Sequence, residues 1–391
     1  MKRVLHLLLV ICLTVATGCG EFILPTGEKR MVLVYIAASE SSLTSYADGN
    51  VADLLHGHVP SRYSSAEDLL VFFQEHDNST ASRKSDATLS RYYAKGNGEI
   101  VKEPIASFGS DFDACTPESF AKVLATAEAA SRPTIRTLLF SSHGTGWMPH
   151  GYFDSPGEKS KSRKTIGYDC TTKNELDIRD FAAVLGKYHW EALLLDCCYM
   201  GTVESVYQLR NCCDWVIASP TEILVQGFPY TYILDQLFLY PGQTGLETIC
   251  QKYYELYQGQ SGSLQSGTIS LTKCSELDNL ADICANIVAQ RRTEMEAVKR
   301  LDVQHYYYSP SKDYFFDLAH YFEKFATTSQ YASFCEQLDK AVPFKKATAQ
   351  FLGLKINRFS GLSIYIPDSR YVNLNAYYGD LDWNKKVKVI E

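Results

Sequence analysis

The chain has 391 residues, 46% of them hydrophobic and 21% charged, with a formal net charge of −7. That composition suits one large folded domain or two ordinary ones and excludes a disordered chain. An acidic balance without a basic stripe gives no reason to expect nucleic acid as a partner, and the 26 tyrosines read as half-buried strand and helix positions.

The first element is not structural. Lys2 and Arg3 precede an apolar run from Val4 to Val15, and Ala16-Thr17-Gly18 supplies small residues before Cys19. The run is too short to span a bilayer, so residues 1–18 are expected to be an export signal. A cysteine directly after small residues resembles the lipobox of bacterial lipoproteins, which implies acylation at Cys19. Residues 19–30 would then be lipid anchor and tether, at most ~40 Å long. The expected location is the bacterial cell envelope, at the outer membrane or cell surface, with the membrane as a partner through the lipid.

Beyond the tether, short apolar runs rich in β-branched residues predict strands at Met31–Ala38, Leu69–Phe73, Thr137–Ser141, Ala192–Asp196, Trp215–Ser219, Thr268–Leu271 and Leu362–Ile366. Helical stretches lie between them. Thr116-Pro117-Glu118 opens one as cap and first-turn proline. Ile178, Phe181, Ala182 and Leu185 place one apolar face on another, and Thr202–Leu209 reads as a third. Continuous apolar strands alternating with helices predict an α/β fold whose mostly parallel sheet is covered on both faces. The expected organisation is a core sheet over about 31–275, a largely helical region over about 275–360, and a last strand and tail over 361–391. Residues 156–164 (PGEKSKSRK) carry Lys159, Lys161, Arg163 and Lys164 and read as an exposed loop.

Twelve cysteines are present, with two adjacent pairs, Cys197-Cys198 and Cys212-Cys213, and no C-x-x-C. Neither a disulfide framework nor a zinc ribbon is expected, and most of these thiols read as small buried hydrophobes. The missing C-x-x-C spacing also argues against a thiol–disulfide role for Cys197-Cys198. Cys198 differs from the others. It follows the strand ending at Asp196 and precedes a helix, where the helix dipole favours thiolate. His143 follows the strand ending at Ser141 and is succeeded by Gly144 and Gly146. One crossover helix joins the two strands, so a histidine and a cysteine are expected at the same edge of the sheet, where an imidazole can act as acid and base for the thiol.

Several segments resemble the clostripain-type cysteine peptidases, relatives of caspases, gingipains and legumains. Phe140-Ser141-Ser142-His143-Gly144-Thr145-Gly146-Trp147 is similar to the family's histidine segment. Leu195-Asp196-Cys197-Cys198-Tyr199-Met200-Gly201-Thr202-Val203-Glu204 is similar to its Asp-Ala-Cys-Leu-Met-Gly pattern, with Cys197 in the alanine's place. Val32–Ala38, Ile166-Gly167-Tyr168-Asp169, Ala218-Ser219-Pro220-Thr221-Glu222 and Ser360–Pro367 support the match. The resemblance implies a caspase-like α/β/α sandwich over residues 31–391. It implies Cys198 as nucleophile, His143 as acid/base partner, and the N–H groups of Gly144 and Cys198 as oxyanion donors. Strand alternation turns Cys197 to the opposite face.

Asp196 would lie in the pocket for a substrate Arg or Lys, with a local capping role as the alternative, and Glu222 is the candidate second acid. Some relatives cut themselves between the two catalytic residues, which makes Lys159, Lys161, Arg163 and Lys164 autoprocessing candidates beside the reading of a plain solvated loop. No cofactor is required. Calcium enters only through the resemblance, because no calcium loop or other metal site is readable in this chain. The expected partner is a protein or peptide substrate, and the chain is expected to act as a monomer. The rival reading is a non-catalytic surface lipoprotein that keeps the fold and binds peptides or glycans.

Overall fold

The computed structural model describes residues 27–37, 41–74, 76–77, 83–149, 166–167, 169, 172, 174–307 and 313–391. Residues 1–18, where an export signal is expected, Cys19 and residues 156–164 lie outside the described residues. Nine strands form the principal sheet: β1 (Arg30–Ile36), β2 (Glu67–Phe73), β3 (Ala87–Ala94), β4 (Ile100–Gly109), β5 (Ile135–Ser141), β6 (Trp190–Asp196), β7 (Cys213–Ala218), β8 (Thr268–Lys273) and β9 (Phe344–Ala347). Their spatial order is β9-β8-β7-β6-β5-β1-β2-β3-β4. The five strands from β7 through β2 run parallel. The strands outside them, β3 and β4 at one side and β8 and β9 at the other, are antiparallel.

Helices cover both faces, as continuous apolar strands require. Alternation along β1 divides the two cores. Leu33 and Tyr35 enter one, with Leu138 and Phe140 of β5 and Leu193 and Leu195 of β6. Val32, Val34 and Ile36 enter the other, with Leu139 and Leu194. The first core is closed by α2 (Pro117–Ser131), α3 (Ile178–Leu185), α4 (Val203–Leu209) and α7 (Leu277–Gln290). The second is closed by α1 (Ser41–Leu54), α5 (Tyr230–Phe238) and α6 (Gln243–Gln258). The cap of α2 is as the sequence predicts: Thr116 accepts a hydrogen bond from the Ser119 N–H, and Pro117 occupies the first turn.

Three pieces of the sheet carry no strand signal in the sequence. The hairpin β3–β4 and the short β9 form its margins, and β4 contains Lys102, Glu103 and Pro104, which suit an edge strand. The apolar run Leu362–Ile366 forms only a two-residue strand, Ser363–Ile364. It pairs with Phe316–Asp317 outside the principal sheet. Among the described residues no helix is long and apolar enough to cross a membrane.

Candidate active site

β5 and β6 are parallel neighbours in register, with Ser141 opposite Asp196. Their carboxyl ends therefore deliver the segments starting at Ser142 and Cys197 to one rim, and the Ser142 N–H donates to the Asp196 carbonyl at 3.3 Å. Two residues later the chains come closer still. A Cβ built on Gly144 would lie 2.6 Å from the Cys198 carbonyl oxygen and 3.2 Å from the Cys198 nitrogen. Only glycine allows that approach. His143 is half-buried beside it, and its carbonyl accepts the Gly167 N–H at 3.0 Å, so the Ile166-Gly167 segment braces the histidine turn.

The two adjacent thiols have opposite surroundings. Cys197 is 1% exposed, packs into the first core and directs its Sγ to the Phe140 carbonyl at 3.6 Å. Burial pushes its pKa well above the ordinary thiol value, and the neighbouring Asp196 and Cys198 charges add to that effect. Cys198 is half-buried, and its sulfur accepts the Ile223 N–H at 3.3 Å. The Ile223 carbonyl lies 3.7 Å from the same sulfur, so the thiol has a backbone acceptor beside its backbone donor.

Asp196 sits below this turn and is 7% exposed. The Tyr230 hydroxyl donates to it at 2.5 Å and the Ser141 hydroxyl at 3.3 Å, and the Phe228 N–H adds a third bond. Burial nevertheless outweighs these donors and raises the carboxyl to about 6. Gly227, at φ +66, covers the carboxylate so closely that a Cβ there would lie 2.7 Å from Oδ2. Glu222 takes a different position. Its Oε1 accepts the Tyr199 hydroxyl at 3.0 Å, whereas Asp196 is held by Tyr230 and Ser141.

Comparison with known proteins is consistent with this geometry. The family model of the clostripain family, Peptidase_C11, matches residues 34–388. The chain belongs to the clostripain family. An inactive zymogen C11 protease from Parabacteroides distasonis is 28% identical with a TM-score of 0.78, over 93% of this chain and 99% of that one. A secreted C11 cysteine protease from Bacteroides thetaiotaomicron, solved with an irreversible peptide inhibitor, is 25% identical with a TM-score of 0.76, over 92% and 98%. A clostripain from B. thetaiotaomicron ATCC 29148, in complex with the peptide inhibitor BTN-VLTK-AOMK, is 29% identical with a TM-score of 0.50, over 56% and 98%. No functionally curated protein matches the chain. The protein is thus a cysteine peptidase with the mixed α/β architecture of the C11 structures.

Several residues of this clostripain-family peptidase hold the site in ways that the motifs do not spell out. Tyr199, next to Cys198, has φ +60, a left-handed conformation that is rare for a bulky side chain. It is held there by its N–H bond to the Thr221 carbonyl at 2.8 Å, by Glu222, and by face-to-face stacking on Phe315 at 4.2 Å. Ile223 acts through its backbone, which no side-chain pattern reveals. Glu204 at the start of α4 is fully buried and accepts from the Tyr365 N–H at 2.9 Å and the Tyr378 hydroxyl at 3.1 Å. Burial lifts its carboxyl to about 7. With the Ser363 N–H bond to the Gly201 carbonyl at 3.0 Å, it fastens the Cys198 turn to the C-terminal segment. Among the described residues no group of three or more His, Cys, Asp or Glu converges as a cation site.

Proposed function

We propose that this chain is an exported, lipid-anchored endopeptidase that cleaves after Arg or Lys with a Cys198–His143 dyad. The observation that carries the dyad is the approach of Gly144 to the Cys198 backbone, which brings the histidine and cysteine turns into contact at one rim. In this reading the Cys198 thiolate attacks the scissile carbonyl, with the Ile223 N–H and the imidazole supporting the negative sulfur. The N–H groups of Gly144 and Cys198 receive the developing oxyanion, each worth roughly 3–4 kcal/mol. His143 then protonates the leaving amine, and water activated by the same imidazole releases the acyl group. Cys197 takes no part, because its buried thiol stays protonated.

Asp196 supplies the basic preference. A carboxyl strained upward by burial gains when a guanidinium or ammonium arrives beside it. The inhibitor bound by the B. thetaiotaomicron clostripain, BTN-VLTK-AOMK, ends its peptide in lysine, which supports the same preference here. Glu222, tied to Tyr199, is assigned to the wall beside the nucleophile. Self-cleavage after Lys159, Lys161, Arg163 or Lys164 is the proposed activation step, in line with the zymogen form of the P. distasonis relative. The secreted B. thetaiotaomicron relative supports export, and Cys19 is the proposed lipid site. The enzyme is proposed to act as a monomer without a cofactor.

The test is a positional-scanning fluorogenic peptide assay on the mature protein beside its Cys198→Ala form. Cleavage after Arg or Lys that is lost in the variant and on thiol alkylation supports the proposal. Peptide binding without turnover in either form establishes the non-catalytic lipoprotein instead.

A further inference from the structure

Cys213 opens β7 and Cys274 directly follows β8, and their sulfurs lie 3.6 Å apart. Both are buried, at 3% and 4% exposure, in the first core. The adjacent Cys212 is directed elsewhere, since its thiol donates to the Ala182 carbonyl at 3.3 Å. The chain between Cys213 and Cys274 carries one wall of the site. It contains Ile223, whose N–H meets the Cys198 sulfur, and Gly227, Phe228 and Tyr230, which enclose Asp196.

We propose that Cys213 and Cys274 form a disulfide in the exported protein, closing the segment that bears this wall. Closing the gap to the roughly 2.05 Å of an S–S bond asks about 1.5 Å of side-chain movement. The reaction needs a disulfide oxidant, such as glutathione disulfide. One protein thiolate displaces a glutathione thiol to give a mixed disulfide, and the second protein thiolate displaces the other. Both protein S–H bonds are lost, one protein S–S bond forms, and the two electrons and two protons end on two glutathione thiols. Both thiols are buried in the folded state and out of reach of the oxidant, so the bond is made while the chain folds. The linkage chemistry is independent of the peptidase mechanism. Export bears only on where the oxidant is met.

The experiment refolds the mature chain in reduced and oxidised glutathione beside a chain kept under reductant. Acid quenching, alkylation in denaturant, digestion and mass spectrometry then locate the thiols. The expected result is a cross-linked peptide pair holding Cys213 and Cys274, two hydrogens lighter than the reduced peptides and retained in Cys212→Ala. The melting temperature should rise by roughly 5 °C over the reduced form, as a link spanning tens of residues predicts. Full alkylation of both cysteines after oxidative refolding, or a link through Cys212, overturns the proposal. Loss of export with the linkage still forming in glutathione would tell against the export reading alone.

Discussion

Gly144 and Cys198 meet backbone to backbone, with no space for a side chain between them. The contact positions the N–H groups assigned to the oxyanion, and it cannot survive a methyl group without moving one turn. Gly144→Ala should lower kcat by roughly 10²–10³-fold, the range for losing one preorganised donor, with a smaller change in KM. Steady-state kinetics on an arginyl peptide checks this. Unchanged kcat would remove the Gly144 N–H from the mechanism.

The paired cysteines should separate cleanly. Cys198→Ala should lose roughly 10⁴-fold or more in kcat/KM, as expected for removal of a nucleophile that works with its base as a unit. Cys197→Ala removes a buried thiol that faces the Phe140 carbonyl, so it should cost about 1 kcal/mol of stability and leave turnover within the same order of magnitude. Chemical denaturation and kinetics on the two variants measure both effects. Inactive Cys197→Ala beside active Cys198→Ala would reverse the assignment.

Asp196 gives a pH signature. Its carboxyl titrates near 6, so the free enzyme carries the pocket charge above that pH and loses it below. The ratio of kcat/KM for an arginyl substrate to that for its neutral citrulline analogue should therefore fall as pH drops from 7 to 5. Taking the ratio cancels every effect common to both substrates, the Cys198–His143 pair included. At high pH the ratio should be about 10–100, the worth of a charge-assisted bond, and Asp196→Asn should bring it near one at all pH values. A wild-type ratio independent of pH would return Asp196 to a purely structural role.

The sequence was most legible where the chain is most regular. The continuous apolar runs of β1, β5 and β6 have no other stable home than the middle of a two-faced sheet, and strand ends in a parallel sheet share a rim. His143 and Cys198 follow two such ends, which is why the sequence leads one to expect their segments at a common rim. The hairpin β3–β4 was not legible, because an edge strand with one solvated side and a proline carries no continuous apolar run. The roles of Tyr199, Ile223 and Glu204 are not legible for a different reason. Their contributions are a backbone angle, a main-chain donor and a buried carboxyl with partners 161 and 174 residues away, and none leaves a local pattern.

Self-processing is checked on a gel. Wild-type enzyme should yield two fragments from a cut between His143 and Cys198, and Cys198→Ala should stay intact. Replacing Lys159, Lys161, Arg163 and Lys164 together with glutamine should block the cut while leaving cleavage of small peptides measurable. The same two fragments from the Cys198→Ala protein would show that another protease makes them.

Glu204 should set part of the stability profile. Its folded carboxyl titrates near 7, above the ordinary value, because burial disfavours the charge more than the hydrogen bonds it accepts favour it. A raised folded pKa means that the fold prefers the protonated acid. The stability it confers is whole below the unfolded pKa, declines as pH rises toward 7 and is gone above that. Glu204→Gln keeps an acceptor for the Tyr365 N–H and the Tyr378 hydroxyl while removing the charge. The variant should match wild type near pH 4 and exceed it by on the order of 3 kcal/mol at pH 8. Denaturant titrations of both proteins at the two pH values decide the matter. An equal difference at both would mean that the carboxyl does not titrate in this range, and that the bonds it accepts outweigh the cost of burying its charge.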